Sequence, residues 1–413
     1  MTGDTQPWYR EIPPAGWRVL AFAGLGWTFD VYDTFALSLT IPALIAAFGL
    51  SNAQAGAIGS ILAGGLIVGG IAMGWVADRI GRVRTLYLSI LIYSVFTCLT
   101  AFAPSASWLA MLRFLGGLGM GGTWTAGAAL VAETWGAKHR GKGGALMQMG
   151  LPVGSMLAIG VTALVGALMG GLNGNGWRVL YGLGFLPALI LLPVAMQTPE
   201  SPVWRARRAS SAPAATVASL FRGGNARGLI LALSFIFCAQ YIYWGVITWT
   251  PAFLVNVKHL AFIRGLSFVL AQQVGSLCGF IVFAALVDRI GRRPTFVAYL
   301  VTGAIAVGVL LLASGPAILL ATMFLTGFGI TGIFAGMGPF TAEMVANTPA
   351  RGLAMGIAYN GGRIGGLIAP MAIGALATSE RGFAAGMGTT IAAFVLAIGI
   401  ILICPETRGT EIG

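Results

Sequence analysis

Long apolar runs, separated by short segments rich in charge, proline or Gly-Asn, alternate along the whole chain. Most runs have about 20 residues or more, the length that an α-helix needs to cross a bilayer. The pattern therefore predicts an all-α membrane protein with twelve transmembrane helices. We expect these spans near 18–47, 54–77, 85–103, 107–131, 143–170, 177–197, 228–254, 264–287, 295–313, 316–341, 352–377 and 383–404.

Composition narrows the function classes. Of the 413 residues 57% are hydrophobic and only 9% are charged, whereas an ordinary soluble domain has roughly 25% charged residues. This excludes a soluble globular enzyme and a disordered chain. The net charge of +12 does not indicate nucleic-acid binding, because the basic residues lie between apolar runs. The four cysteines lack metal-ligand spacing, and no catalytic triad or phosphate-binding loop is found. We expect no metal, no cofactor and no enzyme activity.

The distribution of Lys and Arg predicts the topology. Eighteen of the 24 lie in the two tails and in the loops after even-numbered spans, and four lie in the opposite loops. The positive-inside rule therefore predicts that both termini are cytoplasmic and that the chain lies in the cytoplasmic (inner) membrane. Arg113 and Arg363, the remaining two, lie inside spans.

The two halves of the chain are related by duplication. The segment 78–85 recurs as 288–295 at an offset of 210, and Glu133 and Glu343 match at the same offset. Two parallel six-span repeats are typical of transporters that bind substrate at mid-depth between them. The expected division is a six-helix half over 1–197, a basic cytoplasmic linker over 198–227 and a second six-helix half over 228–413.

A charged motif follows span two. The pattern Gly74-x3-Asp78-Arg79-x-Gly81-Arg82-x-Arg84 resembles the loop 2–3 signature of the major facilitator superfamily, and the copy at 288–293 is a looser match. The resemblance covers nearly the whole chain and implies the twelve-helix fold, alternating access and a monomer. Charge-assisted bonds that break and re-form suit a gate. The candidate gating residues are Gly74, Asp78, Arg79, Gly81, Arg82, Arg84, Glu133, Glu200, Asp288, Arg289 and Arg292.

Arg113 opens a glycine-rich stretch in span four that resembles the second signature of that superfamily. An arginine inside a membrane is costly and is seldom without a role. Met323 stands at the duplicated position, so the fold alone does not require the charge. Arg113 is thus a candidate substrate-binding residue, with a structural role as the alternative.

Span one contains Asp30 and Asp33, the only two acidic residues well inside a span. They are three residues apart and share a helix face. The cluster resembles the sialate/lactate and aromatic-acid proton symporter branches of the superfamily. Free aspartate titrates near 3.9, so proton carriage requires burial and the neighbouring carboxylate to favour the protonated form. Both histidines lie in loops, and we therefore predict Asp30 and Asp33 as the proton-binding residues.

Arg363 lies mid-way along span eleven, with Asn360 on the same face and glycines around both. A guanidinium binds a carboxylate through two parallel hydrogen bonds. The alternative is an ion pair with Asp30 or Asp33, and the two arrangements are compatible with different stages of a transport cycle. Other candidate substrate-binding residues are polar or aromatic: Gln148, Gln240, Tyr243 and Trp244.

Together these features predict a proton-coupled symporter that imports a small organic anion, such as a monocarboxylate, an aromatic acid or a sialate-like acid. The alternative is a drug or metabolite proton antiporter, which would carry cationic or neutral substrates. The expected partners are the organic anion, protons and lipid, without nucleic acid. The sequence does not identify the carboxylate or the proton stoichiometry.

Overall fold

The computed structural model describes residues 7–210, 220, 225–256, 258, 262–346, 348, 350–376 and 380–411. Across these residues the chain is helical and contains no strand. The helices are α1 (Pro14–Phe48), α2 (Asn52–Ile80), α3 (Arg82–Thr100), α4 (Ala106–Thr134), α5 (Arg140–Gln148), α6 (Gly150–Met169), α7 (Gly176–Gly182), α8 (Leu186–Gln197), α9 (Pro202–Ala209), α10 (Asn225–Asn256), α11 (Phe262–Ile290), α12 (Arg292–Leu312), α13 (Pro316–Thr326), α14 (Phe334–Met344), α15 (Arg351–Leu376) and α16 (Glu380–Ile403).

Each predicted span corresponds to one helix or to two consecutive ones. Among the described residues, ten helical segments are long and apolar enough to cross a membrane. The other two predicted spans are α4 and α15, which contain Arg113 and Arg363. Every residue of α4 from Gly119 to Glu133 is buried, so this part of the helix faces protein and does not need an apolar surface.

The described chain forms two compact units, and unit 1 comprises Met1–Gly136 and Val153–Ala215. Its helices approach closely where α4 carries glycines. A Cβ at Gly117 would lie 2.6 Å from the carbonyl oxygen of Leu62 on α2, and one at Gly119 would lie 2.5 Å from that of Ser89 on α3. These glycines let backbones come into contact, as in other membrane helix pairs.

Unit 2 comprises Ala137–Pro152 and Thr216–Gly413. It therefore includes α5, although α5 belongs to the first half of the sequence. In this unit α10 packs on α15, where Gly362 and Gly365 face Ile236 and the carbonyl of Phe237. The predicted domain boundaries describe the repeat in the sequence, and they stay a prediction.

Candidate functional site

The first polar centre joins α1 to α4 inside unit 1. Nη1 of Arg113 lies 3.1 Å from Oδ1 and 3.0 Å from Oδ2 of Asp33. Nη2 of Arg113 donates to the hydroxyls of Thr97 and Thr100 on α3, at 2.8 and 3.0 Å. All four side chains are buried. Arg113, predicted to bind substrate, thus forms a buried ion pair with one of the two predicted proton-binding residues.

Tyr181 on α7 extends this centre. Its ring lies 4.9 Å from the guanidinium carbon of Arg113, within the range of a cation–π contact. Its hydroxyl lies 2.9 Å from that of Thr40 on α1. The charge of Arg113 on α4 is therefore stabilised by contacts from α1, α3 and α7.

Asp30, the second predicted proton-binding residue, is also buried. It lies one helical turn before Asp33. The structure thus places the two aspartates on the buried side of α1, as the helix-face argument expects.

Arg363 on α15 has a different environment from Arg113. Its guanidinium carbon lies 5.2 Å from the ring centre of Tyr359, one turn earlier. Among the residues that the structure describes, Arg363 forms no ion pair and donates no hydrogen bond. It is half-buried, so a charged, planar donor group is available part-way along the helix. Asn360 is fully buried, and its amide donates to the carbonyl of Gly356 at 3.2 Å.

The predicted polar and aromatic lining on α10 lies next to α15. Nε1 of Trp244 donates to Oε1 of Gln240 at 3.1 Å, and the rings of Tyr243 and Trp244 meet edge to face at 5.3 Å. Trp244 also packs against Gly366, where no Cβ would fit. Gly366, about one helical turn after Arg363, therefore accommodates the packing of α10. Gln148 is buried at the end of α5.

A cluster of charges lies at one end of unit 1, around Arg82. Its Nε and Nη2 donate to Glu133 at 2.9 and 3.0 Å, and Nη2 pairs with Asp78 at 2.9 Å. Ser201 donates to the same Glu133 carboxylate at 2.5 Å. Glu200 accepts from the backbone amide of Arg82 at 2.8 Å, so it caps the start of α3, where negative charge is stabilising.

Unit 2 contains the same cluster around Arg292. Its Nε and Nη2 donate to Glu343 at 3.0 and 2.8 Å, and Nη1 pairs with Asp288 at 2.7 Å. Thr407 donates to Glu343 at 2.7 Å, and Glu406 accepts from the amide of Arg292 at 2.8 Å. The structure thus brings all four predicted gating acids and two of the predicted arginines into two clusters, one in each unit.

Asp288 also holds the start of α5. Its carboxylate accepts from the backbone amides of Gly141 and Lys142 at 3.2 and 3.0 Å, and from Nζ of Lys142 at 3.2 Å. Arg140 reaches Glu343 at 3.2 Å and the carbonyl of Thr410 at 2.7 Å. The cluster of unit 2 is therefore the anchor that ties α5 to this unit.

The remaining gating candidates are placed differently. Arg79, Arg84 and Arg289 are exposed and form no ion pair within the described part of the chain. Gly74 is buried in α2, and Gly81 has a φ of 105°, which favours glycine. Of the arginines in the two copies of the motif, Arg82 and Arg292 form ion pairs in the described part of the chain.

Sequence reasoning missed Glu406 and Thr407. A signal was present, because Pro405-Glu406-Thr407 follows span twelve as Pro199-Glu200-Ser201 follows span six. The offset there is 206 instead of 210, so a search at one fixed offset does not find the pair. The structure shows that both segments make the same contacts.

Comparisons with known proteins identify the family of the chain. The family model of the Major Facilitator Superfamily matches residues 21–283 and 265–411. The probable 4-methylmuconolactone transporter of Cupriavidus pinatubonensis is 35% identical, over 98% of this chain and 94% of the relative. The cis,cis-muconate transport protein of Acinetobacter baylyi is 32% identical, over 91% of this chain and 90% of the relative.

Among solved structures, the proton:xylose symporter XylE bound to 6-bromo-6-deoxy-D-glucose has a TM-score of 0.82 at 19% identity, over 96% of this chain and 97% of that one. At this identity the likeness shows the fold, and it confirms the predicted twelve-helix architecture. The chain belongs to the major facilitator superfamily and is a multi-pass membrane transporter, not an enzyme.

Proposed function

We propose that the chain is a proton-coupled symporter that imports a small organic anion across the cytoplasmic membrane by alternating access. The main observation behind this proposal is the environment of the Arg363 guanidinium. Its guanidinium is part-way along a membrane helix and forms neither an ion pair nor a donated hydrogen bond among the described residues. Placing a charged side chain inside a membrane segment costs free energy, and such residues usually have a function.

Arg363 suits a carboxylate ligand. The planar guanidinium offers parallel N–H groups at the spacing of the two carboxylate oxygens, which a lysine ammonium does not. The ring of Tyr359 supports one face of the group, so its in-plane donors remain for a ligand. Asn360, Gln240, Tyr243 and Trp244 lie on the same pair of helices and complete the candidate substrate surface of unit 2.

Relatives support an acidic substrate. Besides the two described above, similar proteins are named as a gentisate transporter from Corynebacterium glutamicum, 30% identical, and a niacin transporter from Acinetobacter baylyi, 28% identical. Muconate, gentisate and niacin are organic acids of modest size. We therefore propose an unsaturated or aromatic carboxylate as the substrate of this chain.

The ion pair of Asp33 and Arg113 is the proposed site of protonation. Protonating Asp33 removes its charge and weakens its bonds to Nη1 of Arg113, and Asp30 next to it offers a second acceptor. With a proton bound there and an anion on Arg363, the carrier changes state around nearly neutral contents. An empty, ionised carrier would have to desolvate its charges.

The two charge clusters are the proposed gating contacts. Each binds an arginine to two acids and caps the helix that follows a positive-φ glycine. Both clusters lie among the basic segments that the positive-inside rule assigns to the cytoplasm, with both termini on that side. Their bonds are short and buried, so the bonds within each cluster strengthen one another.

Uptake into proteoliposomes tests the function. Vesicles with an imposed inward proton gradient would be supplied with labelled muconate, gentisate, nicotinate and lactate, and with a lipophilic cation. We expect accumulation of at least one carboxylate that collapses with a proton ionophore and is lost in Arg363→Ala. Gradient-driven extrusion of the cation, with no carboxylate uptake, would instead identify a drug antiporter and overturn the proposal.

A further inference from the structure

A patch of stacked arginines and tryptophans lies where α2 ends and α9 begins. The guanidinium carbon of Arg79 lies 3.6 Å from the ring centre of Trp75, and that of Arg208 lies 5.3 Å from the ring centre of Trp204. Arg208 also donates to the carbonyl of Arg79 at 3.4 Å. These contacts join the two arginine–tryptophan pairs into one surface, which we call the arginine–tryptophan patch.

The patch is anchored to the protein on one side and open on the other. Nε1 of Trp204 donates to the carbonyl of Asp78 at 3.0 Å, which fixes α9 against the end of α2. Arg79, Arg205 and Arg208 are exposed, and within the described residues none forms an ion pair. Trp75 is 38% exposed although it lies in a membrane-spanning helix. Concentrated positive charge thus faces outward beside an exposed indole.

This combination matches the membrane interface. Tryptophan concentrates at the level of the lipid headgroups, and Arg79 follows Trp75 by one helical turn at the end of the span. Arginine side chains at that depth meet phosphates, which guanidinium groups bind through parallel hydrogen bonds. Arg205 and Arg208 on α9 add charge at the same level, because α9 is tied to the end of α2.

The internal duplication shows that the fold does not require the patch. The counterpart of Arg79 is Arg289, which is also exposed, but the counterpart of Trp75 is Ala285. After the second charge cluster the chain continues from Glu406 without a helix in its described residues. The patch is therefore specific to unit 1.

We propose that the arginine–tryptophan patch binds the headgroup of an anionic phospholipid. The phosphate and its negative charge would bind between Arg79 and Arg208, and the acyl chains would lie along the exposed face of α2 beside Trp75. A zwitterionic headgroup satisfies this site poorly, since its ammonium meets a surface with no exposed acid among the residues that form it. The chemistry favours phosphatidylglycerol over phosphatidylcholine.

Native mass spectrometry of the full-length detergent-solubilised protein tests the proposal, with phosphatidylglycerol and phosphatidylcholine added in turn. We expect phosphatidylglycerol to bind more tightly to the parent, and the double variant Arg79→Gln, Arg208→Gln to lose roughly 10- to 30-fold in its affinity. The double variant Arg289→Gln, Arg293→Gln is the matched control, because it removes two exposed charges that have no tryptophan partner among the described residues, and it should bind phosphatidylglycerol like the parent.

Two further binding measurements distinguish the proposal from its alternatives. Parent protein titrated in rising salt should lose the preference for phosphatidylglycerol, since exposed charges are screened within about 8 Å at physiological ionic strength; this arm does not depend on any variant folding. Glycerol phosphate should bind far more weakly than the lipid. Equal binding of both lipids by the parent, parental affinity in the double variant, or equal binding of glycerol phosphate would each overturn the proposal.

Discussion

Asp33 and Arg113 form an ion pair that joins two membrane helices, with Nη1 3.0 Å from Oδ2 and both side chains almost inaccessible. A buried pair of this kind adds little net stability, because its attraction is offset by the desolvation of two charges. Its significance lies in what happens when one charge changes. Neutralising either partner leaves the other charge buried without its counter-ion.

Removing Arg113 should therefore be far more damaging than removing the whole pair. Met323 occupies the equivalent position of the repeat and is buried, so Arg113→Met introduces a side chain that the fold already accepts there. We expect a loss of about 3–5 kcal/mol in unfolding free energy for Arg113→Met. Adding Asp33→Asn should recover much of it, as measured by thermal or denaturant unfolding in detergent. Additive losses in the double variant would contradict an ion-pair role.

Transport by aspartate variants tests the proton assignment. Asp33→Asn mimics the protonated state, so we expect it to abolish accumulation driven by a pH gradient while substrate exchange across the membrane persists. Asp30→Asn should reduce the accumulation as well, because both carboxylates are buried in the same segment of α1. Uptake is measured against external pH for each variant. Parental, gradient-driven accumulation in both would remove the aspartates from the mechanism.

Substrate affinity should depend on Arg363 and on its planar shape. Loss of a bidentate, charge-assisted contact is expected to weaken anion binding roughly 30- to 1000-fold in Arg363→Ala. Arg363→Lys should remain weak, since an ammonium offers no planar fork. Calorimetry on the folded variants measures the effect, with an ester analogue as the control ligand that should discriminate little. Near-parental carboxylate affinity in Arg363→Ala would contradict the assignment of Arg363 as the carboxylate-binding residue.

The turn between α2 and α3 should tolerate no side chain. Gly81 has a φ of 105°, and an added Cβ would collide with the carboxylate of Glu200. Backbone strain alone is expected to reduce stability by about 1–3 kcal/mol in Gly81→Ala. Gly24→Ala is the matched control: it lies in the interior of α1 with no atom within 4 Å of the new Cβ, and it should be neutral or slightly stabilising. Equal melting temperatures would show that the turn is not strained.

The carboxylate of Asp288 should control the exposure of α5. Asp288→Asn keeps the side-chain volume but weakens the bonds to the amides of Gly141 and Lys142. In a background without native cysteines, a cysteine at the fully buried Ala145 should then react faster with a thiol reagent. A cysteine at the equally buried Ala129 of α4 serves as the control and should keep its rate. Unchanged reactivity at Ala145 would mean that α5 is held by other contacts.

The spans and the repeat could be predicted from the sequence because both leave recognisable patterns along the chain. Apolar runs mark the helices, and the copied segments 78–85 and 288–295 mark the equivalent ends. Partners across helices leave no such signal. The separation of Asp33 and Arg113 along the sequence carries no information about contact, and the sequence predicted substrate binding or a structural role for Arg113.

The contacts between packed helices could not be predicted from the sequence either. From the sequence alone, Gly366, about one helical turn after Arg363, is compatible with either a ligand or a neighbouring helix, and the position of Trp244 shows that a helix lies there. Likewise, α5 is continuous with the first half of the chain. Its capping acid, Asp288, lies in the other half, and hydrophobic patterning does not encode that choice.

The anchoring of α5 has a consequence for biosynthesis. The amides of Gly141 and Lys142 emerge from the ribosome well before Asp288, the residue that caps them, is synthesised. Until then the start of α5 carries uncapped donors and a cluster of basic side chains. The first half can insert its spans during translation, but this helix end reaches its native contacts only after the eighth span has been made. An early segment of the chain therefore depends on a residue made much later for its native contacts.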